Sequence, residues 1–247
     1  MSILKLTGVE KTFYTKTDRT HTITKLSFDV NEGEFVALVG PSGCGKTTIL
    51  SLISGIIAPS GGLIEVYGKA PPSEKVGYML QQDHLFEWRT IYKNVVLGLE
   101  IQKRLNAKTE AHAKNLLTKY GLGDFINHYP SQLSGGMRQR AALIRTLALS
   151  PEILLLDEPF SSLDSQTRLA VCDDVYSIIK RERKTVVLVT HDISEAISMA
   201  DRVLVLTARP ARVKSRHTPN LGHIPAPSKR RESPDFPNQF KLIRKEL

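Results

Sequence analysis

Eight residues constrain this chain more than any others: Gly40-Pro41-Ser42-Gly43-Cys44-Gly45-Lys46-Thr47, which fits G-x-x-x-x-G-K-[ST]. The five residues before them, Phe35–Val39, are all apolar and read as a buried strand, and Lys46–Ile53 has helical character. Strand, glycine loop and helix in that order make a phosphate cradle. The glycines let the backbone wrap closely around phosphate oxygens, successive N–H groups point inward, and the helix start adds a positive dipole end. The binding segment runs from Gly40 to Thr48. Lys46 is expected to reach the β- and γ-phosphates of a nucleoside triphosphate and the Thr47 hydroxyl to ligate Mg²⁺.

A second motif complements the first. Ile153-Leu154-Leu155-Leu156 reads as a buried strand, and it stops at Asp157-Glu158-Pro159. Both carboxylates then sit at the carboxyl end of a strand, where open α/β sheets bind ligands. Asp157 is placed to hold Mg²⁺, and Glu158 to orient and deprotonate an attacking water. Val186–Val189 and Val203–Leu206 are further short apolar runs that alternate with helical signals, which implies a parallel sheet with crossover helices. Ile3–Phe13, Thr22–Val30, Leu63–Tyr67 and Lys75–Leu80 read as additional strands. Between Thr90 and about Leu149, apolar residues recur every three to four positions, as expected of a mostly helical insert.

Leu133-Ser134-Gly135-Gly136-Met137-Arg138-Gln139-Arg140 resembles the signature motif of ABC transporter ATPases. Its physics is also legible directly. Ser134 begins a helix, and Gly135-Gly136 open the helix start to close approach, so the segment reads as a second anion site. A second site in a chain whose phosphates are already cradled suits the nucleotide of another subunit. Other matches follow in the family's order. Tyr78-Met79-Leu80-Gln81 resembles the segment whose glutamine touches Mg²⁺ and the attacking water, with Gln82 adjacent. Ser161-Ser162-Leu163-Asp164 resembles the loop that crosses the dimer interface, and His191 after Val186–Thr190 resembles the switch histidine that senses the γ-phosphate. Phe13 stands where the family places an aromatic that stacks on adenine, with Tyr14 as its competitor.

The resemblance spans Ile3 to Leu206. It implies an α/β fold: a P-loop NTPase core with a parallel sheet, an N-terminal antiparallel β subdomain and an α-helical insert at about 83–150. It implies ATP and Mg²⁺ as ligands. It also implies a head-to-tail dimer that sandwiches ATP, permease subunits in the membrane, and an extracytoplasmic substrate-binding protein acting through them. The chain would then work at the cytoplasmic face of the cell membrane. Phe35–Lys46, Leu85–Thr90 and Ala208-Arg209-Pro210-Ala211-Arg212 are similar to the nitrate, sulfonate and taurine importer ATPases, although Glu87 replaces a usual Pro and Ala211 a frequent Gly. In that family a groove beside Gln81 receives a permease helix, and Leu85, Phe86 and Trp88 supply apolar material there.

Composition sets the remaining bounds. No apolar run reaches the roughly 18–20 residues that span a bilayer, and no signal peptide is visible at the N-terminus. Cys44 and Cys172 lack metal-type spacing and read as free thiols in a reducing compartment. The net charge of +9 is concentrated from Arg202 onward, where eleven Lys/Arg face three Asp/Glu. Residues 207–247 therefore read as a basic tail following an ATPase domain of residues 1–206, solvated or facing an anionic surface. The prolines at 219, 225, 227, 234 and 237 are expected to prevent a long helix before Phe240. The alternative reading is a soluble ATPase of the same type acting on nucleic acid, ribosomes or protein assembly. The charge lies in a Pro-interrupted segment without interleaved aromatics, so no nucleic-acid partner is expected.

Overall fold

A computed structural model describes residues 1–247. Two long strands with alternating apolar residues, β1 (Ser2–Tyr14) and β2 (Arg19–Asn31), pair antiparallel, Leu6 opposite Phe28 and Val9 opposite Leu26. A short strand, β4 (Gly61–Val66), pairs antiparallel on the other side of β1. Together they form a three-stranded sheet in the order β2-β1-β4.

The central sheet contains β3 (Phe35–Val39), β5 (Val76–Met79), β6 (Ile153–Asp157), β7 (Thr185–Thr190), β8 (Arg202–Leu206) and β9 (Val213–His217). Its order is β5-β6-β7-β3-β8-β9. All pairings are parallel except β8 with β9. The strand period of two sorts its side chains into two cores. Val36, Leu38, Ile153, Leu155, Val187, Val189, Leu204 and Leu206 face the antiparallel sheet and helix α1 (Lys46–Ile53). Phe35, Ala37, Val39, Leu154, Leu156, Val186, Leu188, Val203 and Val205 face the other way. Both faces are covered, which explains why these strands are apolar throughout.

The second core is roofed by the insert: α2 (Ile91–Val95), α3 (Leu97–Ile101), α4 (Ala107–Lys119) and α5 (Gly135–Ala148). Asn106 starts α4 with a capping box shared with Thr109, and Ala113, Leu116 and Leu117 form its buried stripe. Helices α6 (Ser165–Arg181) and α7 (Ile193–Met199) complete the layer on this side.

The basic segment folds onto the domain instead of trailing in solvent. β9 adds an antiparallel edge strand, and α8 (Pro227–Arg231) and α9 (Phe236–Arg244) pack beyond it. Leu221, Phe236 and Ile243 enter the same core as the insert. Helix α9 starts at Phe236, four residues before Phe240, because Pro237 occupies the first turn, where no backbone N–H is required. Arg230 is only 1% exposed. It donates to the Ile224 carbonyl at 2.7 Å, the Ser198 carbonyl at 2.9 Å and the Tyr176 hydroxyl at 2.6 Å. Its guanidinium lies 4.7 Å from the Tyr176 ring centre. Beside it, Asp173 accepts from the Ser228 N–H at 2.8 Å and from its hydroxyl at 2.5 Å.

Candidate active site

The parallel register brings the carboxyl ends of β6, β7 and β3 side by side, Asp157 opposite Val189 and Thr190 opposite Val39. The loop after β3 turns sharply back into α1. Gly45 has φ +119, and a side chain there would also press within 3.0 Å of the Thr22 methyl, so only glycine suits the position. Ser42, Gly43, Gly45, Lys46, Thr47 and Thr48 line a cavity with Glu158 and Arg209, and none of the eight is hydrophobic. Gly40, Pro41 and Cys44 lie behind this lining; Cys44 is buried, and burial pushes its thiol pKa up. Lys46 is buried, and its Nζ donates to the Gly40 carbonyl at 2.8 Å and to the Pro41 carbonyl at 3.1 Å. The ammonium is thereby held under the loop.

Asp157 is buried at the end of β6. It accepts from the Thr47 hydroxyl at 3.1 Å and from the Tyr78 hydroxyl at 3.1 Å. Burial pushes its pKa above the ordinary carboxylate value, while those two hydrogen bonds pull it back. Burial and the Asp157 charge in turn push the Tyr78 phenol up. A carboxylate facing a hydroxyl is a hard oxygen pair of the kind that holds Mg²⁺ together with phosphate oxygens. No group of three His, Cys, Asp or Glu side chains gathers to hold a metal alone.

Glu158 adopts a left-handed backbone, φ +44, which costs a non-glycine residue about 1–2 kcal/mol. Its N–H donates to the Val189 carbonyl at 2.8 Å, which fixes the turn. Its carboxylate lies 2.9 Å from His191 Nδ1. The residues after His191 are held in place as well. The Thr190 hydroxyl donates to buried Glu195 at 2.6 Å and accepts from the Asp192 N–H at 3.0 Å, and Asp192 caps α7. A carboxylate beside an imidazole, at the rim of a phosphate cavity, has the groups to activate a water and to sense a terminal phosphate.

The remaining candidates stand apart from this cavity. Ser134 caps α5, accepting from the Met137 N–H at 3.3 Å. Gly136 is buried against α6; a side chain there would come within 2.7 Å of the Val171 methyl. Its absence of a side chain thus serves helix packing, and Gly135 similarly faces Leu163 at 3.1 Å. Asp164 caps α6, accepting from the Gln166 and Thr167 N–H groups. Gln81 is exposed just past β5, and Phe13, 41% exposed, lies beneath Lys11 with Tyr14 more exposed still. None of these seven residues lines the phosphate cavity.

Four contributors escape sequence reasoning. Tyr78 supports Asp157, although only the apolar strand before Gln81 marks it. Arg209 donates to the Gly43 carbonyl at 2.7 Å. Arg138, in the second turn of α5, reaches across to Asp83 and Glu87 at 2.8 Å each. Arg145 adds bonds to the carbonyls of Asp83 at 2.6 Å and His84 at 2.7 Å. Burial opposes the Asp83 charge, but the bonds from Arg138 and the Leu85 N–H outweigh it and hold Asp83 below the usual carboxylate range. The segment after Gln81 is thus fastened to the helix that Ser134 caps. Beside it Leu85 is buried, while the Phe86 and Trp88 rings lie 4.8 Å apart, tilted by 42°, and Trp88 is 75% exposed.

Comparison with known proteins agrees with this geometry. A family model described as ABC transporter matches residues 23–161. An uncharacterized ABC transporter ATP-binding protein, YtlC of Bacillus subtilis, is 45% identical over the whole of this chain and 96% of its own length. The taurine import ATP-binding protein TauB of Rhizobium johnstonii is 40% identical over 87% of this chain and 83% of its own. Among solved structures, a dimeric bacterial ABC transporter cassette, MJ0796, superposes with a TM-score of 0.75 at 31% identity, covering 88% of this chain and 99% of that one. A post-hydrolysis form of the same cassette with ADP and Pi gives a TM-score of 0.72 at 29% identity. The expected fold class holds, with its parallel core, antiparallel N-terminal sheet and helical insert. The chain is a member of the ABC transporter family, an ATP-hydrolysing subunit that energises transport.

Proposed function

We propose that this subunit works as one half of a head-to-tail pair that drives an importer for a small anion or organic compound of the nitrate, sulfonate or taurine kind. One observation carries the pairing: Ser134 and Gly135 lie off the phosphate cavity that Lys46, Thr47 and Glu158 share. A copy of the chain thus holds two half-sites, each completed by the partner's other half. Kinship to the taurine import protein supports the substrate class.

In this reading the N–H groups of Gly40 to Thr48 cradle the polyphosphate, and Lys46 leaves its carbonyl partners for the β- and γ-oxygens. Thr47, Asp157 and Gln81 would hold Mg²⁺, which neutralises charge on the phosphates when bound. Glu158 orients the attacking water and takes its proton. His191, hydrogen-bonded to Glu158, contacts the γ-phosphate. Ser134, Gly135 and Gly136 bind the ATP of the partner, Asp164 reaches across the interface, and Phe13 stacks on adenine. The exposed Phe86–Trp88 pair is an apolar rim for a permease helix. No helix of the chain is long and apolar enough to cross a membrane. Attachment at the cytoplasmic face through permease subunits, with an extracytoplasmic binding protein beyond them, completes the assembly.

The test is a tagged Glu158→Gln chain recovered from detergent-solubilised membranes. Loss of the base should slow hydrolysis about a hundredfold or more while ATP is retained, and a multi-span permease should co-purify in equal amount. Recovery from the soluble fraction alone, with ribosomes or nucleic acid, would refute the transport role. Near-normal turnover would remove Glu158 from the base role.

A further inference from the structure

The segment Ala208–Arg212 has no part in the mechanism above, yet it touches the phosphate loop. It forms the turn between β8 and β9, and that turn is held on both sides. Thr207 N–H donates to the Arg212 carbonyl at 3.0 Å, and the Thr207 hydroxyl donates to the Pro210 carbonyl at 3.1 Å. Buried Ala211 exchanges backbone bonds with β2: its N–H donates to Thr22 at 2.8 Å and its carbonyl accepts from Thr24 at 3.1 Å. From this fixed turn, the exposed Arg209 side chain reaches the loop and donates to the Gly43 carbonyl at 2.7 Å. It lines the same cavity as Lys46, Thr48 and Glu158.

A triphosphate carries about four negative charges, and an arginine fork has five N–H donors suited to phosphate oxygens. Arg209 spends one hydrogen bond on Gly43, which leaves most of the fork free at the cavity wall. Lys46 and Arg209 are the two cations lining that cavity. We propose that Arg209 is a nucleotide-binding residue, a second cation that contacts the polyphosphate of ATP from the β8–β9 turn. The proposal rests on the assignment of ATP to this cavity. It extends the binding site beyond the phosphate loop into the sequence that follows the last parallel strand.

The rival explanation is a clamp that steadies Gly43 and never meets the ligand. Equilibrium binding of radiolabelled ATP with Mg²⁺ to the full-length chain separates the two. The variants are Arg209→Ala, Arg209→Gln, Arg209→Lys and Lys46→Ala, each measured at low and at high salt. Arg209→Ala is expected to raise the dissociation constant about tenfold, the size of one lost hydrogen bond to a charged group. Arg209→Gln keeps an amide donor for Gly43 but no charge, and should lose as much as Arg209→Ala. Arg209→Lys should keep a good part of the affinity. The salt dependence of binding should flatten in the two neutral variants, because one cation fewer meets the phosphates. Wild-type affinity in Arg209→Ala, or wild-type affinity and salt dependence in Arg209→Gln, would overturn the proposal. Loss of ATP by Lys46→Ala alone would sink Arg209 while keeping the phosphate loop. Full retention by Lys46→Ala would overturn the loop assignment and the proposal together.

Discussion

Replacing Arg230 by Met tests whether the C-terminal segment is part of the folded domain. Methionine keeps the apolar stem and removes the guanidinium. The substitution strips three acceptors of their donor: the carbonyls of Ile224 and Ser198 and the hydroxyl of Tyr176. Each buried group left unpaired costs about 1–3 kcal/mol, so the gross loss over the three is about 3–9 kcal/mol. Part of this is recovered, since a buried cation without a carboxylate carries a desolvation penalty that the variant escapes. The net expectation is a loss of about 2–4 kcal/mol. For a chain of this size that lowers the melting midpoint by about 5–15 °C. Urea unfolding followed by circular dichroism is the suitable assay, because the one tryptophan, Trp88, is exposed and remote from the segment. Lys229→Met, at an exposed neighbour, is the control and should change stability by less than about 0.5 kcal/mol. Equal effects of the two substitutions would refute the docked segment and restore the solvated tail.

Two other substitutions probe the site's surroundings. Burial raises the pKa of Glu195 above the ordinary 4.5, with the Thr190 bond opposing, so the fold favours its protonated form. The stability from that form is present below pH 4.5 and is lost as pH rises through the folded pKa. Glu195→Gln stays neutral and still accepts from Thr190, so its urea midpoint should exceed wild type at about pH 7.5, with the gap closing below the unfolded carboxylate pKa; a gap of one size at every pH would contradict this. Glu87→Ala removes the more exposed of the two carboxylates on Arg138, and should cost under about 1 kcal/mol, a loss that added salt diminishes. A larger, salt-insensitive loss would mean that Glu87 acts through packing.

Contiguity decides how much of this architecture is legible in the sequence. The phosphate loop is one unbroken segment, and the strand before it and the helix after it are equally local. The same holds for Ile153–Glu158, whose acidic end follows four apolar residues. Features assembled across the chain are different. Tyr78 meets Asp157 across 79 positions, and nothing in Val76-Gly77-Tyr78-Met79 singles out its hydroxyl. Arg209 finds Gly43 across 166 positions from within a run of basic residues. The C-terminal segment misleads most. Phe236, Phe240 and Ile243 keep a helical spacing, but Pro237 stands inside it, and Leu221 lies apart beyond Pro225, Pro227 and Pro234. Lys229-Arg230-Arg231 reads as a solvated triplet, since sequence alone does not say which cation turns inward. The glycines of the signature are a subtler case. Their spacing points to anion binding, whereas Gly136 answers a steric demand from Val171 that only packing reveals.

The docking of Leu221, Phe236 and Ile243 bears on how the protein is made. A ribosome that has released residues only as far as Leu206 has delivered the phosphate loop, Asp157, Glu158 and His191. Yet the apolar surface that those three residues cover is still bare, and so are the backs of α6 and α7. During that interval the nascent chain offers chaperones an unfinished face beside a nearly complete catalytic edge. Residues 207–247 cover that face only after the segments that carry the chemistry have been made.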